Sequence, residues 1–135
     1  MTFARVPYAA LNARQKENRN FHLVAARLAE YGFTSLRLTD DFEGADFVAL
    51  HVDGQTILKV QLKGRLTFDR KYVGKGLHVA FRLDERFFVY PHDALLGEVE
   101  PAQAFAKNRA WTEDGLVHWG RPPAWAMTAL EPHEI

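Results

Sequence analysis

Apolar residues first recur along the chain at helical spacing, then switch to alternation. Phe21, Val24, Ala25 and Leu28 lie on one stripe of a 3.6-residue period, which predicts a helix over Asn12–Tyr31 with Asn12 as its cap and Gly32 as its stop. Phe33–Leu38 (FTSLRL) alternates as a short strand, and Thr39–Gly44 (TDDFEG) reads as a polar loop. Asp40, Asp41 and Glu43 suit solvation and turn formation there. From Gly44 to Arg65, GADFVALHVDGQTILKVQLKGR, two alternating runs flank Asp53-Gly54. Asp-Gly in that setting predicts a hairpin closed by a two-residue turn, with both turn residues at positive φ.

That turn sets a register. With Val52 facing Gln55, Asp46 falls opposite Gln61, and Lys63, two residues on, shares the face of Gln61. Opposed side chains lie roughly 4.5–5.5 Å apart at Cβ, close enough for two oxygens to share a cation. Phe47, Ala49, Leu58, Val60 and Leu62 form one face of the hairpin. The other carries Val48, Leu50, Val52 and Ile57, then Lys59, Gln61, Lys63 and Asp46. Both faces are apolar near the turn, which predicts a sheet covered on both sides, with polarity at one end of one face. Extending the helix stripe one turn toward the N-terminus reaches Glu17. Such a carboxylate is either paired or cation-bound in the interior, or sits one turn too early to be buried at all.

After Arg65, LTFDRKYVGKG reads as a basic loop, either a phosphate-contacting segment or a plain connector. Leu77–Arg82 and Arg86–Tyr90 read as two further strands. Pro91-His92-Asp93 opens a short helical turn through Leu96, Glu98–Pro101 is a break, and Ala102–Ala110 has helical character. The remaining tail holds all three Trp without clear periodicity, and is expected to pack back on the domain or on a second subunit. The expectation is one domain over 1–135, with a core of about 12–97 and an extension over 98–135.

Composition narrows the chemistry. Cysteine is absent, which excludes disulfides, zinc-thiolate sites and thiol nucleophiles. No secretion signal and no membrane-length apolar run are visible, so the expected setting is cytoplasmic, without membrane contact. The 17 basic and 17 acidic side chains cancel, against a uniformly basic nucleic-acid binder. Yet Lys59–Lys75 carries six basic residues against one acid, and Asp84 to the end carries nine acids against four basic residues. A basic block beside the polar end of the hairpin suits phosphate tracking. Ser35, the only serine, lacks nucleophile-elbow glycines. The six histidines show no paired metal-ligand spacing, His92-Asp93 reads as a helix opening, and the phosphate-cradling and dinucleotide fingerprints are missing. Phe68 and Tyr72 suit either stacking on bases or anchoring the loop to the domain.

The order helix, strand, hairpin, loop and further strands, with GADF at Asp46 and VQLKGR at Gln61 and Lys63, resembles the PD-(D/E)xK nuclease superfamily. Within it, archaeal-type Holliday junction resolvases and related small endonuclease domains are the nearest in pattern. The resemblance covers Asn12–Tyr90. It implies an α/β fold of αβββαβ type, with a mixed central sheet flanked by helices, and a metal-dependent DNA endonuclease leaving 5′-phosphate and 3′-hydroxyl ends. It casts Glu17 as the helix-borne acid, Asp46 and Gln61 as metal ligands and Lys63 as catalytic. Phosphodiester cleavage uses a hard cation on oxygen ligands. Mg2+, with Mn2+ as substitute, would take Asp46, the Gln61 side-chain oxygen, the Leu62 backbone carbonyl and Glu17. Arg65, Arg70, Lys71 and Lys75 would contact DNA, and a homodimer through the C-terminal extension would reach both strands. Gln61 departs from the commoner acid and removes one negative charge. That keeps open a catalytically inactive DNA-binding module on the same fold, or a protein-interaction domain.

Overall fold

Helix α1 spans Ala13–Glu30 and starts where the polar pattern places it. Asn12 accepts from the Gln15 N–H while the Gln15 side chain accepts from the Asn12 N–H, a reciprocal cap that satisfies two orphan donors. Phe21, Val24 and Leu28 are buried. Five strands follow in one mixed sheet of order β1-β2-β3-β5-β6: β1 (Phe33–Phe42), β2 (Ala45–His51), β3 (Ile57–Lys63), β5 (Leu77–Leu83) and β6 (Arg86–Pro91). Neighbours are antiparallel except β3 and β5, which run parallel. In this computed structural model, which describes residues 1–102 and 105–135, no helix is long and apolar enough to cross a membrane.

A parallel pair needs a crossover. Here it is made by β4 (Leu66–Asp69) and a 3-10 turn at Arg70–Tyr72. The segment expected as a loop is therefore ordered, and all four β4 residues are buried. β4 pairs with β7 (Leu116–Trp119) from the tail, forming a second, two-stranded sheet. Alternation over so few residues was masked by Thr67 and Asp69, both buried. Thr67 exchanges two backbone hydrogen bonds with the Tyr90 hydroxyl, and the Asp69 N–H donates to Nε2 of His92 at 3.0 Å.

The two faces of the main sheet carry different cores. Phe47, Ala49, Val60 and Leu62 meet the α1 stripe together with Ala80, Phe87 and Val89. Val79, Phe81, Phe88 and Tyr90 face the other way, against β4, α2 (His92–Ala102), α3 (Arg109–Asp114), β7 and α4 (Ala124–Leu130). Helix α2 runs on through the expected break, past Leu96 to Ala102. Of the expected helix over 102–110, residues 103 and 104 lie outside the described ones, and a 3-10 turn at Phe105–Lys107 precedes α3. Phe105 collects the tail: its ring meets Trp111, Trp119 and Trp125 at 5.3, 5.6 and 6.5 Å between centroids. The tail thus packs back on the domain, and its aromatic rings are engaged within the chain.

Cover on the second face stops short of the hairpin. Leu36, Leu50, Val52 and Ile57 are exposed, so the expectation of a sheet covered on both sides holds for β5–β6 and fails for β1–β2–β3. Apolar alternation shows that a face can be buried, not that a partner element reaches it.

Both hairpin turns differ from the simple reading. The Asp53-Gly54 loop is wider: His51 N–H donates to Thr56 O at 2.9 Å and Gly54 N–H to His51 O at 3.1 Å. Gly54 has φ +71°, whereas Asp53 is absent from the positive-φ residues. Asp53 instead accepts from the Gln55 and Thr56 N–H groups, both at 2.8 Å, and from the Thr56 hydroxyl at 2.6 Å. The loop gains one residue on each side, so the pairing sum is unchanged. The two-residue turn with both φ positive lies one hairpin earlier, at Glu43 (φ 52°) and Gly44 (φ 90°), between paired Phe42 and Ala45. β1 therefore runs four residues further than expected, through the acidic stretch. Gly44→Ala is expected to destabilise the fold by about 1–3 kcal/mol, because φ is left-handed and the added Cβ would meet Leu77 Cδ1 at 3.0 Å. Urea unfolding of the two proteins measures this.

Candidate active site

Phe47 pairs with Val60 and Val48 with Lys59, and the same register carried one step further sets Asp46 across from Gln61. Here the outer ladder is broken. β1 pairs with β2 through Arg37↔Phe47 and resumes only at Phe42↔Ala45. Four β1 residues thus stand against Asp46 alone. Such a bulge re-aims side chains and ends regular pairing. Asp46 turns inward to β3, where its Oδ2 accepts the Leu62 N–H at 2.8 Å. The Gln61 amide donates to the Leu62 carbonyl at 3.2 Å.

Asp46, Gln61 and Lys63 line one cleft of about 370 Å3, walled on the far side by Tyr72, Lys71 and Lys75. Tyr72 is 3% exposed, and the ammonium groups of Lys63 and Lys71 lie over its ring at 5.6 and 5.4 Å from the centroid. Burial holds the Tyr72 phenol above its usual value, so it stays neutral. With Asp41 also at the rim and Asp69 paired with Lys71, the cleft sets three ammonium groups among three carboxylates.

Asp46 is half-buried, and that burial raises its carboxyl above the usual 3.8, with Glu17 adding to the effect. The Leu62 N–H, Lys63 and Arg37 oppose it without cancelling it. Glu17 itself is not interior: its side chain is 53% exposed and pairs with Arg37 at 3.3 Å. The exposed alternative is the correct one, because the helix stripe reaches solvent one turn before Phe21. Glu17 still stands close enough to act on Asp46 electrostatically.

The basic stretch divides. Lys71 and Lys75 reach the cleft, and Lys71 also pairs with Asp69 at 3.5 Å. Arg65 and Arg70 turn to the tail: Arg65 meets Nδ1 of His118 at 3.2 Å, and Arg70 donates to the Trp111 carbonyl at 2.7 Å with its guanidinium 4.9 Å from the Trp111 ring centre. Phe68 is 1% exposed in the core, so both loop aromatics anchor rather than stack on bases. His92 is wholly buried and bridges the Asp69 N–H to Asp93, whose other oxygen accepts the Gly74 N–H at 2.8 Å. That network holds the Lys71–Lys75 segment in place. Among the described residues no three of His, Cys, Asp and Glu gather as a metal cluster. Sequence reasoning missed Arg14, Lys16 and Arg37, which stand around Glu17 in adjoining clefts. Isolated basic residues carry no local signal, and only the fold gathers Arg14 and Lys16 of α1 and Arg37 of β1 around Glu17.

A scan against protein-family models gives no match, and neither does a search of curated proteins. Among solved structures, the chain is similar to Hjc, a Holliday junction resolvase from Archaeoglobus fulgidus. That match has 25% identity over 58% of this chain and 74% of the other, with a TM-score of 0.46. It is also similar to the bacterial homing endonuclease I-Ssp6803I, with 17% identity over 89% and 93% of the two chains and a TM-score of 0.49.

The raised Asp46 carboxyl has a stability consequence with a definite sign. The folded chain holds this proton more tightly than the unfolded one, so its contribution to stability declines as pH rises from 3.8 through the raised folded value. Asp46→Asn is accordingly expected to melt above the parent at pH 7. The difference should vanish below pH 3.8, as thermal melts across the acid range would show.

Proposed function

We propose that the protein is a metal-dependent DNA endonuclease acting at the cleft between β3 and the Lys71–Lys75 segment. The observation that carries this reading is the pairing of Asp46 with the Gln61-Leu62-Lys63 run, through the hydrogen bond to the Leu62 N–H. An incompletely compensated carboxylate, an amide oxygen and a backbone carbonyl stand together where β2 begins and β3 ends. All are hard oxygen donors, the set that Mg2+ or Mn2+ takes while retaining water. Burial that disfavours the bare Asp46 anion is what a bound cation would relieve. Asp46, Gln61 and the Leu62 carbonyl would hold the metal, with Glu17 near enough to act through water. A bound cation would polarise the phosphate and acidify a water.

Each remaining residue has a separate task. Lys63, fixed by β3 and held against Tyr72, places a positive charge where phosphorus gains negative charge. Lys71 and Lys75 hold the phosphate backbone along the opposite wall. Tyr72, neutral and buried, takes the ammonium groups of Lys63 and Lys71 over its ring and backs the cleft with apolar surface.

A second reading is favoured by the amide at position 61. Its donation to the Leu62 carbonyl occupies a group that the cation would use, and it supplies no charge of its own. On that reading the fold binds DNA without cutting it. Asp46→Ala separates the two. The endonuclease loses Mg2+-dependent nicking of supercoiled plasmid while retaining DNA binding in EDTA, and a parent protein that binds DNA yet nicks nothing in Mg2+ or Mn2+ overturns the catalytic reading. The walls are tested by salt. Lys75→Ala is expected to reduce the slope of log K against log salt by about 0.9, one phosphate contact. Arg70→Ala is expected instead to lower folding stability by about 1–3 kcal/mol, through the charged hydrogen bond lost at the Trp111 carbonyl, which keeps only the Gly115 N–H.

A further inference from the structure

The first thirty residues carry five basic side chains against two acids, Glu17 and Glu30. Part of this charge stands on an N-terminal segment that is folded onto α1. Arg19 donates to the Val6 carbonyl at 2.9 Å, the Asn20 amide donates to the Tyr8 hydroxyl at 2.9 Å, and the Arg82 guanidinium lies 4.2 Å from the Tyr8 ring centre. Between the segment, α1 and the β5–β6 turn opens a cleft of about 640 Å3, with Arg5, Arg19 and Arg82 on its walls. Glu85 is the one acid of that lining, and it pairs with Arg82 at 3.0 Å. Among the described residues, the arginine ion pairs include neither Arg5 nor Arg19. A smaller cleft of about 300 Å3 joins this one to the reaction cleft, sharing Tyr8 with the first and the end of β3 with the second. Lys16 stands with Glu17 in it, and the Lys63 ammonium turns away to Tyr72, so the joining surface is close to neutral.

We propose that the arginine cleft grips the DNA backbone next to the stretch held in the reaction cleft, with Arg5 and Arg19 as the phosphate contacts. The inference rests on the endonuclease reading and adds to it the path that the DNA takes across the protein. Charge is the first support. The reaction cleft sets three ammonium groups among three carboxylates, so little net attraction for a polyanion arises there, and the uncompensated guanidinium groups beside it supply that attraction. Chemistry is the second. A guanidinium presents its N–H donors in a planar fork that matches phosphate oxygens, and Arg19 gives only one of its nitrogens to Val6. Position is the third, because the two clefts communicate past Tyr8 without an intervening acidic barrier. Val6 and Leu23 also line the arginine cleft, which makes an acidic peptide with apolar side chains the competing occupant.

A salt series in EDTA tests this without cleavage, read by the anisotropy of a fluorescein-labelled duplex. Arg5→Ala is expected to lower the slope of log K against log salt by about 0.9, one phosphate contact, and to melt with the parent. Arg5→Ala combined with Lys75→Ala is expected to lower it by about 1.8, since contacts in separate clefts add. Arg109→Ala removes an equal charge from α3 and is expected to leave the slope unchanged. A slope that Arg5→Ala does not alter overturns the proposal. An equal loss in Arg109→Ala also overturns it, as a response to net charge alone, and so does a double variant that loses no more than either single one. Binding of a glutamate-rich peptide that Arg5→Ala abolishes, with the DNA slope unchanged, assigns the cleft to an acidic protein segment instead. Any of these results with Lys75→Ala still lowering the slope defeats the N-terminal contact alone, whereas a parent that binds no duplex at low salt defeats the endonuclease reading with it.

Discussion

The hydrogen bond from the Leu62 N–H to the Asp46 carboxylate joins β2 and β3 where their regular ladder ends. It does what the next backbone rung would have done, but with a charged side chain. Two arrangements make it possible. The bulge in β1 releases Asp46 from pairing on its outer side, and the Glu43-Gly44 turn brings the chain back within reach of Tyr72 and Leu77. The carboxylate ends up half-buried, offset only in part by Lys63 and repelled by Glu17. The charges of the cleft are arranged around that one ionisable group.

Much of this was legible because register is a conserved sum. Widening the Asp53-Gly54 loop by one residue on each side left Phe47 against Val60, so Asp46, Gln61 and Lys63 met as the sequence pattern implied despite a wrong turn type. The α1 stripe and strands β5 and β6 were equally plain, since each repeats its period over enough residues to average out exceptions. Glu17 was ambiguous because periodicity places a residue on a face without saying where along the helix burial begins.

What was not legible depends on contacts distant in sequence. β4 holds only four residues, two of them polar, and becomes a strand by pairing with β7 nearly fifty positions later. Thr67 and Asp69 are buried because Tyr90 and His92 meet their backbone groups, partners that no local window contains. Arg70 looked like one more cation in a basic run, yet its guanidinium caps a carbonyl in the tail. Charge density can be counted from sequence; the direction in which each charge points is a property of the packed chain.

The crossover between the parallel strands has a temporal consequence. β2 and β3, with Asp46 and Lys63, are synthesised before residue 70, yet the far wall of the cleft rests on β4, whose sheet partner is β7, and on Arg70, clamped to Trp111. A chain leaving the ribosome therefore carries its acid and its lysine in place while the wall that would grip an anion still lacks support. The cleft closes into shape only once Trp111 and β7 have emerged and packed.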